Sequence, residues 1–311
     1  MTEAQICHSL KLKIAEMLTP LVGRRCVLLG VPYYFNIGDV LIWEGTREFI
    51  KEAGVKCLAT SSKETFSLPD LQEDVTILLQ GGGNFGDLWP EEHLFREKVI
   101  RRYPHNRIIV LPQSVCYEDG KHIESDRELY GGHSDMYVCA RDRDSYRLLA
   151  GFVEADRLKM VPDMAFYLSL KKRDARSDKV LLLTRKDKES REYGFEAVMA
   201  SETNYDSKDW PSMEPASGML VLRSFRWLFG HSKRIPGFTD WVAVNLFRPY
   251  ILRMGIRFIS KYKKVYSTRL HGGILSILLS KPVTLFDNSY GKTSSFHDTW
   301  LSAAEGVEMI R

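Results

Sequence analysis

The sequence predicts an α/β protein built on doubly wound parallel sheets. Apolar runs, as at residues 25–31 and 75–80, alternate along the chain with segments whose apolar residues have helical spacing. Such continuous apolar runs are typical of strands buried on both faces of a parallel sheet. A polar stretch at residues 171–178 interrupts the alternation, which then resumes. We therefore expect two domains of this kind, spanning residues 1–170 and 178–311.

The first half is predicted to begin with a helix that ends near Leu18, ahead of Pro20, and to continue as alternating strands and helices. Its strands are predicted at residues 25–31, 55–59, 75–80, 107–111, 136–140 and 159–161. Helices are predicted after the loop at residues 33–39, at residues 91–103 and after residue 145.

The second half is predicted to open with a strand at residues 179–185. Later strands, near residues 265–268 and 283–287, flank an apolar helix. Further helices are predicted at residues 240–254 and from about residue 295. Whether the last helix packs back onto the first domain is left open. Residues 189–218 are polar and irregular and receive no assignment.

The composition is that of a globular protein, with 44% apolar and 27% charged residues among 311. Its net charge of +4 comes from dispersed Lys and Arg, without the basic arm of a nucleic-acid-binding protein. The chain has no signal-peptide pattern and no run of 18 apolar residues, and its five cysteines form no CxxC pair. We expect a cytoplasmic protein in a reducing compartment, and peripheral association with the inner face of a membrane is left open.

Polar or glycine-rich turns follow the predicted strands. The residues that they contribute to a candidate site are Asn36, Asp39, Gly82, Gly83, Asn84, Gln113, Arg141, Arg185, Arg269, Leu270, His271 and Gly272. Because the carboxyl ends of parallel strands lie along one edge of a sheet, these residues are expected to converge on a cleft.

The strongest single signal is the sequence Arg269-Leu270-His271-Gly272-Gly273 between a short strand and an apolar helix. The N–H groups and the dipole at the start of a helix favour an anion. A fixed cation, an imidazole and bare glycine backbone therefore describe an anion site with a proton donor beside it. In the alternative interpretation, Arg269 makes a surface ion pair, His271 caps the helix and the glycines allow close packing.

The other motifs are individually ambiguous. The run Gly81-Gly82-Gly83 fits neither a dinucleotide fingerprint nor a P-loop, and it is also typical of a tight turn with positive φ. The stretch from Asn36 to Asp39 is also typical of an Asx turn, and Arg141 of a solvated helix start. The histidines have no ligand-like spacing and no nucleophile signature is present, so neither a metal site nor covalent catalysis is predicted.

Together, these motifs resemble the polysaccharide pyruvyl transferase family. The matching pieces are Asn36-Ile37-Gly38-Asp39, Gln80-Gly81-Gly82-Gly83-Asn84-Phe85-Gly86-Asp87, Leu111-Pro112-Gln113-Ser114, Ala140-Arg141-Asp142, Val161-Pro162-Asp163, Ser267-Thr268-Arg269-Leu270-His271-Gly272 and Lys281-Pro282-Val283. Each motif alone is weak, but the first six in the right order, with Lys281-Pro282-Val283 behind them, are specific. Residues 189–234 carry no motif that we can match to the family and are a candidate for an acceptor-specific segment.

The resemblance implies two Rossmann-like domains facing a cleft, as in GT-B-like glycosyltransferases. It also implies phosphoenolpyruvate as the donor co-substrate, a saccharide or its lipid-linked precursor as the acceptor, and a pyruvate ketal and phosphate as products. The acceptor would lie on the N-terminal domain and phosphoenolpyruvate on the C-terminal domain. The family's basic residue after the first strand of the second domain falls on Arg185, and its Arg-Leu-His motif on Arg269, Leu270 and His271.

These assignments suggest a division of roles. Arg185 and Arg269, with backbone N–H groups of Leu270 and Gly272, would hold the two anionic groups of the donor. His271 would protonate the donor methylene as general acid, and Asp39 would act as base toward the acceptor. Fixed cations can balance the donor charge, so neither a metal nor a further cofactor is expected.

Two other functional classes stay open at the level of the sequence. A nucleotide-sugar glycosyltransferase of the same fold would need an acidic ribose contact in the second domain, for which no clear residue is found. A non-catalytic glycan-binding protein would have no need of an acid such as His271 between the groups that bind an anion. Four aromatic residues have two interpretations. They belong either to the core or to a surface that stacks on a sugar or contacts a lipid carrier, and they are Trp210, Trp227, Trp241 and Tyr250.

Overall fold

The structure is a computed structural model that describes residues 1–118, 120–185, 195–200, 202–213, 220–287 and 291–311. Within these residues, two β-sheets account for all the strands, and every strand pairing is parallel. The predicted α/β class with parallel sheets is confirmed.

The first sheet lies in the N-terminal half. Its strands are β1 (Arg25–Leu29), β2 (Lys56–Ser61), β3 (Val75–Leu79), β4 (Gly82–Phe85), β5 (Ile108–Val115), β6 (Met136–Ala140) and β7 (Leu158–Met160). They are arranged in the order β2-β1-β3-β5-β6-β7, with β4 beside β5. The helices of this half are α1 (Glu3–Leu18), α2 (Ile37–Glu52), α3 (Pro90–Arg102), α4 (Ile123–Gly131), α5 (Arg143–Leu149) and a 3-10 helix (Met164–Tyr167).

The second sheet lies in the C-terminal half. Its strands are β8 (Val180–Leu183), β9 (Tyr205–Lys208), β10 (Lys264–Ser267), β11 (Val283–Phe286) and β12 (Val307–Ile310), in the order β12-β11-β10-β8-β9. The helices of this half are α6 (Phe195–Met199), α7 (Leu220–Gly230), α8 (Pro236–Val242), α9 (Arg248–Ile259), α10 (Leu270–Leu278) and α11 (Lys292–Trp300), with a 3-10 turn (Ser232–Arg234) and a π-helical turn (Ala243–Phe247).

Both sheets have the same winding, because the first strand of each lies between the second and the third. The strand order therefore reverses between β1 and β3 and again between β8 and β10. At such a switch point the connections leave toward opposite faces of the sheet and open a crevice at the carboxyl ends of the strands. The fold thus creates two crevices, one in each half.

Alternate residues of each strand enter cores on opposite faces of the sheet. Leu28 and Leu78 of the first sheet share one continuous apolar cluster with Leu181 and Val265 of the second. The other face of the first sheet, including Val27, packs into a separate cluster. The two halves are thus joined by a common core, through which α2 contacts α9 and α10.

Helix α11 also connects the halves. The backbone N–H of Asp144 in α5 donates to Ser295 Oγ at 3.4 Å, and the indole Nε1 of Trp300 donates to the Arg141 carbonyl at 2.7 Å. This C-terminal helix therefore lies against the first half of the chain.

Several local predictions need correction. The glycine run does not form only a turn, since residues from Gly82 form the short strand β4. The helix predicted at residues 240–254 is two helices joined by a π-helical turn, and the final helix ends at Trp300 and is followed by the edge strand β12. The unassigned stretch contains β9, which carries polar residues and is too short for a clear pattern. The rest of that stretch lies partly outside the described residues.

Candidate active site

A cavity of about 340 Å³ lies where the carboxyl ends of the two sheets meet. Its lining residues are Tyr34, Asn36, Asp39, Gly83, Asn84, Trp89, Glu92, Arg141, Arg185, Trp210, Met213, Arg269, Leu270, His271, Lys292 and Thr293. Many of them come after β1 and β3 at one switch point or after β8 and β10 at the other, whereas Arg141 follows β6, Trp210 follows β9 and Lys292 follows β11. Of the predicted site residues, Gly82, Gln113 and Gly272 do not belong to this lining and lie behind it.

The centre of the site is a buried carboxylate that joins the two halves. Asp163 follows β7, and its Oδ2 accepts a hydrogen bond from Arg141 Nη1 at 2.6 Å. The same oxygen lies 3.2 Å from Nε2 of His271, at the start of α10. Its Oδ1 accepts from the backbone N–H of Ala165 at 2.9 Å. Asp163 thus fixes a guanidinium of the first half and an imidazole of the second.

The electrostatics of Asp163 favour its charged form. Burial by itself raises the pKa of this carboxyl, but His271, Arg141 and the Ala165 N–H together lower the pKa well below its usual range. The carboxylate is therefore ionised at neutral pH and can accept a proton-bearing Nε2 of His271. Sequence reasoning placed Asp163 at a strand end without a role, because its partner His271 lies 108 positions away.

Two helices meet end to end beside this pair. Asn36 caps α2, because its Oδ1 accepts from the Gly38 N–H at 3.0 Å, and its Nδ2 donates to Asp39 Oδ2 at 2.8 Å. Gly38 packs directly against His271, and a Cβ at this position would lie 2.8 Å from His271 Nδ1. The N-termini of α2 and α10 therefore both reach the cavity wall and add positive potential there.

The second buried guanidinium belongs to Arg269. Its Nε and Nη2 donate to the two carboxylate oxygens of Asp209 at 2.6 and 2.8 Å, a bidentate pair in which both side chains are buried. Asp209 directly follows β9, and sequence reasoning missed it because β9 was not recognised. The pair holds the Arg269 side chain in one orientation at the cavity wall.

The two glycines after His271 serve close packing. The Gly272 N–H donates to the Arg269 carbonyl at 2.9 Å, so in this structure it is directed into the first turn of α10. A Cβ on Gly272 would lie 2.4 Å from a Leu183 methyl carbon, and one on Gly273 would lie 2.3 Å from Leu285. These contacts bring α10 against the second sheet and set the position of His271.

Two further cationic side chains line the cavity. Arg185 follows β8, and its backbone N–H donates to Thr268 Oγ1 at 2.9 Å. Lys292 begins α11, and its Nζ donates to the Gly83 carbonyl at 3.4 Å. Lys292 was not among the predicted site residues, although its place shortly after a strand end was a usable signal. Together with Arg141 and Arg269, these residues give the wall four cationic side chains, beside the carboxylates of Asp39 and Glu92.

Glutamines and glycines form the layer behind the cavity. Gln113 Nε2 donates to the Gln80 carbonyl at 2.8 Å, and Gln80 Nε2 donates to the Asp39 carbonyl at 3.3 Å. Gly82 adopts a φ of 139°, which favours glycine, so the turn between β3 and β4 depends on it. Gln113 and Gly82 therefore position the wall that Asp39 and Gly83 present.

Away from the cavity, the described residues also bring together His93, Glu97 and Asp126, with one ligand atom of each within 4.8 Å of the others. This grouping was not visible in the sequence, because Asp126 lies on a different helix. The Nδ1 of His93 lies 3.6 Å from Asp126 and its Nε2 lies 3.9 Å from Glu97. Since the two nitrogens face different carboxylates and a metal takes one of them, we assign no metal to this cluster.

Comparison with known proteins agrees with this arrangement. The profile of the family described as "Polysaccharide pyruvyl transferase" matches residues 36–290 of this chain. EpsO of Bacillus subtilis, named as a pyruvyl transferase without being established as one, is 30% identical over 97% of this chain and 94% of its own length. Pyruvyl transferase 1 of Schizosaccharomyces pombe is 26% identical over 92% of this chain and 73% of its own.

A functionally uncharacterised protein from Klebsiella pneumoniae shares the fold, with a TM-score of 0.63 and 20% identity over 97% of this chain and 98% of its own. The profile match covers most of the chain and includes the cavity residues from Asn36 to His271. The chain belongs to the polysaccharide pyruvyl transferase family.

Proposed function

We propose that the protein transfers the pyruvyl group of phosphoenolpyruvate to two hydroxyls of a saccharide, forming a pyruvate ketal and releasing phosphate. The observation that carries this proposal is the His271–Asp163 pair beside a wall that has four cationic side chains. A donor that has two anionic groups and must be protonated on carbon needs both features. The family membership and the names of the relatives support the same activity.

The donor would lie against the second half of the cavity wall. Phosphoenolpyruvate carries a carboxylate and a phosphate, so its binding requires at least two fixed cations. We assign these groups to Arg185, Arg269 and Lys292, with the Leu270 N–H at the start of α10 as a further donor. The bidentate contact with Asp209 holds Arg269 in place, which lowers the cost of ordering it around the donor.

His271 would deliver the proton that starts the reaction. Protonation of the donor methylene gives a cationic carbon that a sugar hydroxyl attacks, and the C–O bond to phosphate then breaks. A second hydroxyl closes the ketal. Of the two hydroxyl protons, one is taken by the candidate base Asp39 and passed to the departing phosphate, and the other restores His271. Asp163 accepts from Nε2 of the protonated imidazole and keeps the ring in place.

The acceptor would lie against the first half, where Asp39, Asn84 and Trp89 offer hydrogen bonding and apolar contact. Asp39, held by Asn36, is our candidate base toward the attacking hydroxyl. We further propose that residues 1–170 and 178–311 form two Rossmann-like domains in a GT-B-like architecture. The fixed cations supply the positive charge that the donor needs, so no metal or further cofactor enters the proposal.

The test combines purified protein, phosphoenolpyruvate and a panel of lipid-linked saccharides, and follows phosphate release and acceptor mass. We expect both phosphate and a mass gain that matches a pyruvate ketal, and we expect His271→Ala to abolish both. The matched control is His105→Ala, since His105 is exposed and lies outside the cavity. A protein whose melting temperature rises with a nucleotide sugar and not with phosphoenolpyruvate would contradict the proposal and favour a glycosyltransferase.

A further inference from the structure

The surface formed by residues 220–246 is unusually apolar for a solvent-facing part of a protein. Its exposed large apolar residues are Leu220, Val221, Trp227, Ile235, Phe238, Trp241 and Leu246. Leu220 is 75% exposed and Trp227 64%, so most of each side chain faces solvent. Phe238 and Trp241 stack on each other with ring centroids 6.5 Å apart. Large exposed apolar residues that are concentrated in one segment indicate an interaction site.

Helix α7 shows the pattern most clearly. Its buried face, with Leu222, Phe225 and Leu228, packs into the core. Its opposite face presents Leu220 and Trp227 to solvent, together with the basic residues Arg223 and Arg226. The packing of α7 in this fold does not require apolar residues on that outer face. Leu220 and Trp227 are therefore available to a partner outside the chain.

The charge of the region indicates what kind of partner this is. Residues 220–246 contain four Lys and Arg residues and one acidic residue, Asp240, whereas the whole chain has 44 basic and 40 acidic residues. The carboxylate of Asp240 accepts hydrogen bonds from Tyr33 Oη at 2.6 Å and Ser61 Oγ at 2.8 Å, so it is held against the first half. The exposed basic residues among the apolar ones are Arg223, Arg226, Lys233 and Arg234.

Exposed aromatic and aliphatic residues interspersed with Lys and Arg are the composition of helices that lie in a membrane interface. The rings occupy the headgroup layer, and the long basic side chains reach lipid phosphates. No helix among the described residues is long and apolar enough to cross a bilayer. The pattern therefore favours contact with the surface of an anionic bilayer.

This surface lies next to the cavity. Phe229 of α7 stacks on Tyr33 with ring centroids 5.1 Å apart, and the Arg226 guanidinium lies 5.4 Å from the centre of the Phe35 ring. Tyr34 and Asn36, in the same loop, line the cavity. A membrane held at residues 220–246 would thus be close to the loop that carries the candidate acceptor residues.

We propose that the 220–246 surface docks onto anionic lipid headgroups, with Trp227, Phe238 and Trp241 as apolar anchors. Docking requires no donor or acceptor, so its test is independent of the proposed reaction. The protein is sedimented with vesicles of phosphatidylcholine alone or with about one-third phosphatidylglycerol. We expect binding to the anionic vesicles, weaker binding to the neutral ones, and release by salt.

The variant Trp227→Ser/Phe238→Ser/Trp241→Ser should lose about tenfold or more of its vesicle partitioning, because its apolar contact area is removed. Arg223→Gln/Arg226→Gln should lose the preference for anionic lipid while keeping an unchanged core. The control Leu12→Ser/Leu94→Ser removes exposed apolar residues elsewhere and should bind normally.

Equal vesicle binding by folded wild type and triple variant would overturn the proposal. A second result would also overturn it: the wild type does not bind the vesicles but forms a dimer, and the triple variant does not dimerise. In that case the surface binds a second copy of the chain.

Discussion

The two halves of the molecule have the same strand order but present different chemistry at their switch points. The first sheet contributes mainly a carboxylate, amides and bare glycine backbone, in Asn36, Asp39, Gly83 and Asn84. The second half contributes Arg185, Arg269, His271 and Lys292. One topology thus yields a hydrogen-bonding wall opposite a cationic wall. The difference indicates that loop residues set what each half binds, while strand order sets only where it binds.

The two buried arginines also differ in what their ion pairs connect. Arg269 is held bidentately by Asp209 within the second half. Arg141 is paired with Asp163 of its own half, and the same oxygen of Asp163 also contacts His271 of the other half, so this second group links the two halves. The first pair is a local anchor, whereas the second couples the two walls at the candidate acid.

The largest effect is expected from breaking this cross-link. Asp163→Asn should lower kcat by about 100-fold, because His271 loses the acceptor that positions it. It should also lower the free energy of unfolding by about 3 to 5 kcal/mol, since Arg141 is left buried without its counter-ion. Steady-state kinetics and denaturant titration measure the two losses, and Asp144→Asn, at an exposed helix position, is the matched control.

The pH dependence of the stability difference between wild type and Asp163→Asn distinguishes a lost charge from lost packing. The pKa of Asp163 is lower in the folded state than in the unfolded chain, so its stabilising contribution is fully present above the unfolded pKa of about 3.9. That contribution is lost as the pH falls toward the folded pKa. The stability gap between wild type and Asp163→Asn should therefore narrow on acidification below about pH 4. A gap that stays constant with pH would contradict the assigned charge of Asp163.

A second pair of variants tests whether the two walls hold different substrates. Arg185→Gln should cost about 2 kcal/mol of donor binding, or roughly 30-fold in KM for phosphoenolpyruvate, with little change in acceptor KM. Asp39→Asn should lower kcat at saturating phosphoenolpyruvate and leave the donor KM unchanged. Arg176→Gln, in the exposed stretch between the halves, should behave as wild type. If both variants changed the same KM, the division between the walls would be wrong.

The smallest effect is expected where the two helices meet. Gly38→Ala places a methyl group within 2.8 Å of the His271 ring and must displace it. We expect about a tenfold loss of kcat with the fold intact, because the acid is moved by a fraction of an ångström. Gly151→Ala is the control, since its added Cβ meets only the end of the flexible Arg127 side chain at an ordinary contact distance. Unchanged kcat in Gly38→Ala would place the acid elsewhere.

Site residues could be predicted from the sequence where the strand before them is buried and therefore apolar. Strands β1, β3, β6 and β8 are continuous apolar runs, so the turns after them, and hence Asn36, Asn84, Arg141 and Arg185, could be located. Asp209 was missed because β9 is a half-exposed edge strand of polar residues. The link between Asp163 and His271 could not be predicted, because it depends on how the halves pack together.

The common apolar core of the two sheets bears on how the protein unfolds. Leu28 and Leu181 belong to one cluster, so separating the halves would expose the interior of both. Halves joined in this way lose structure together, which means that calorimetry should record a single heat-absorption peak. For the same reason, a protease that nicks the exposed stretch at residues 171–178 would leave two fragments that stay bound to each other.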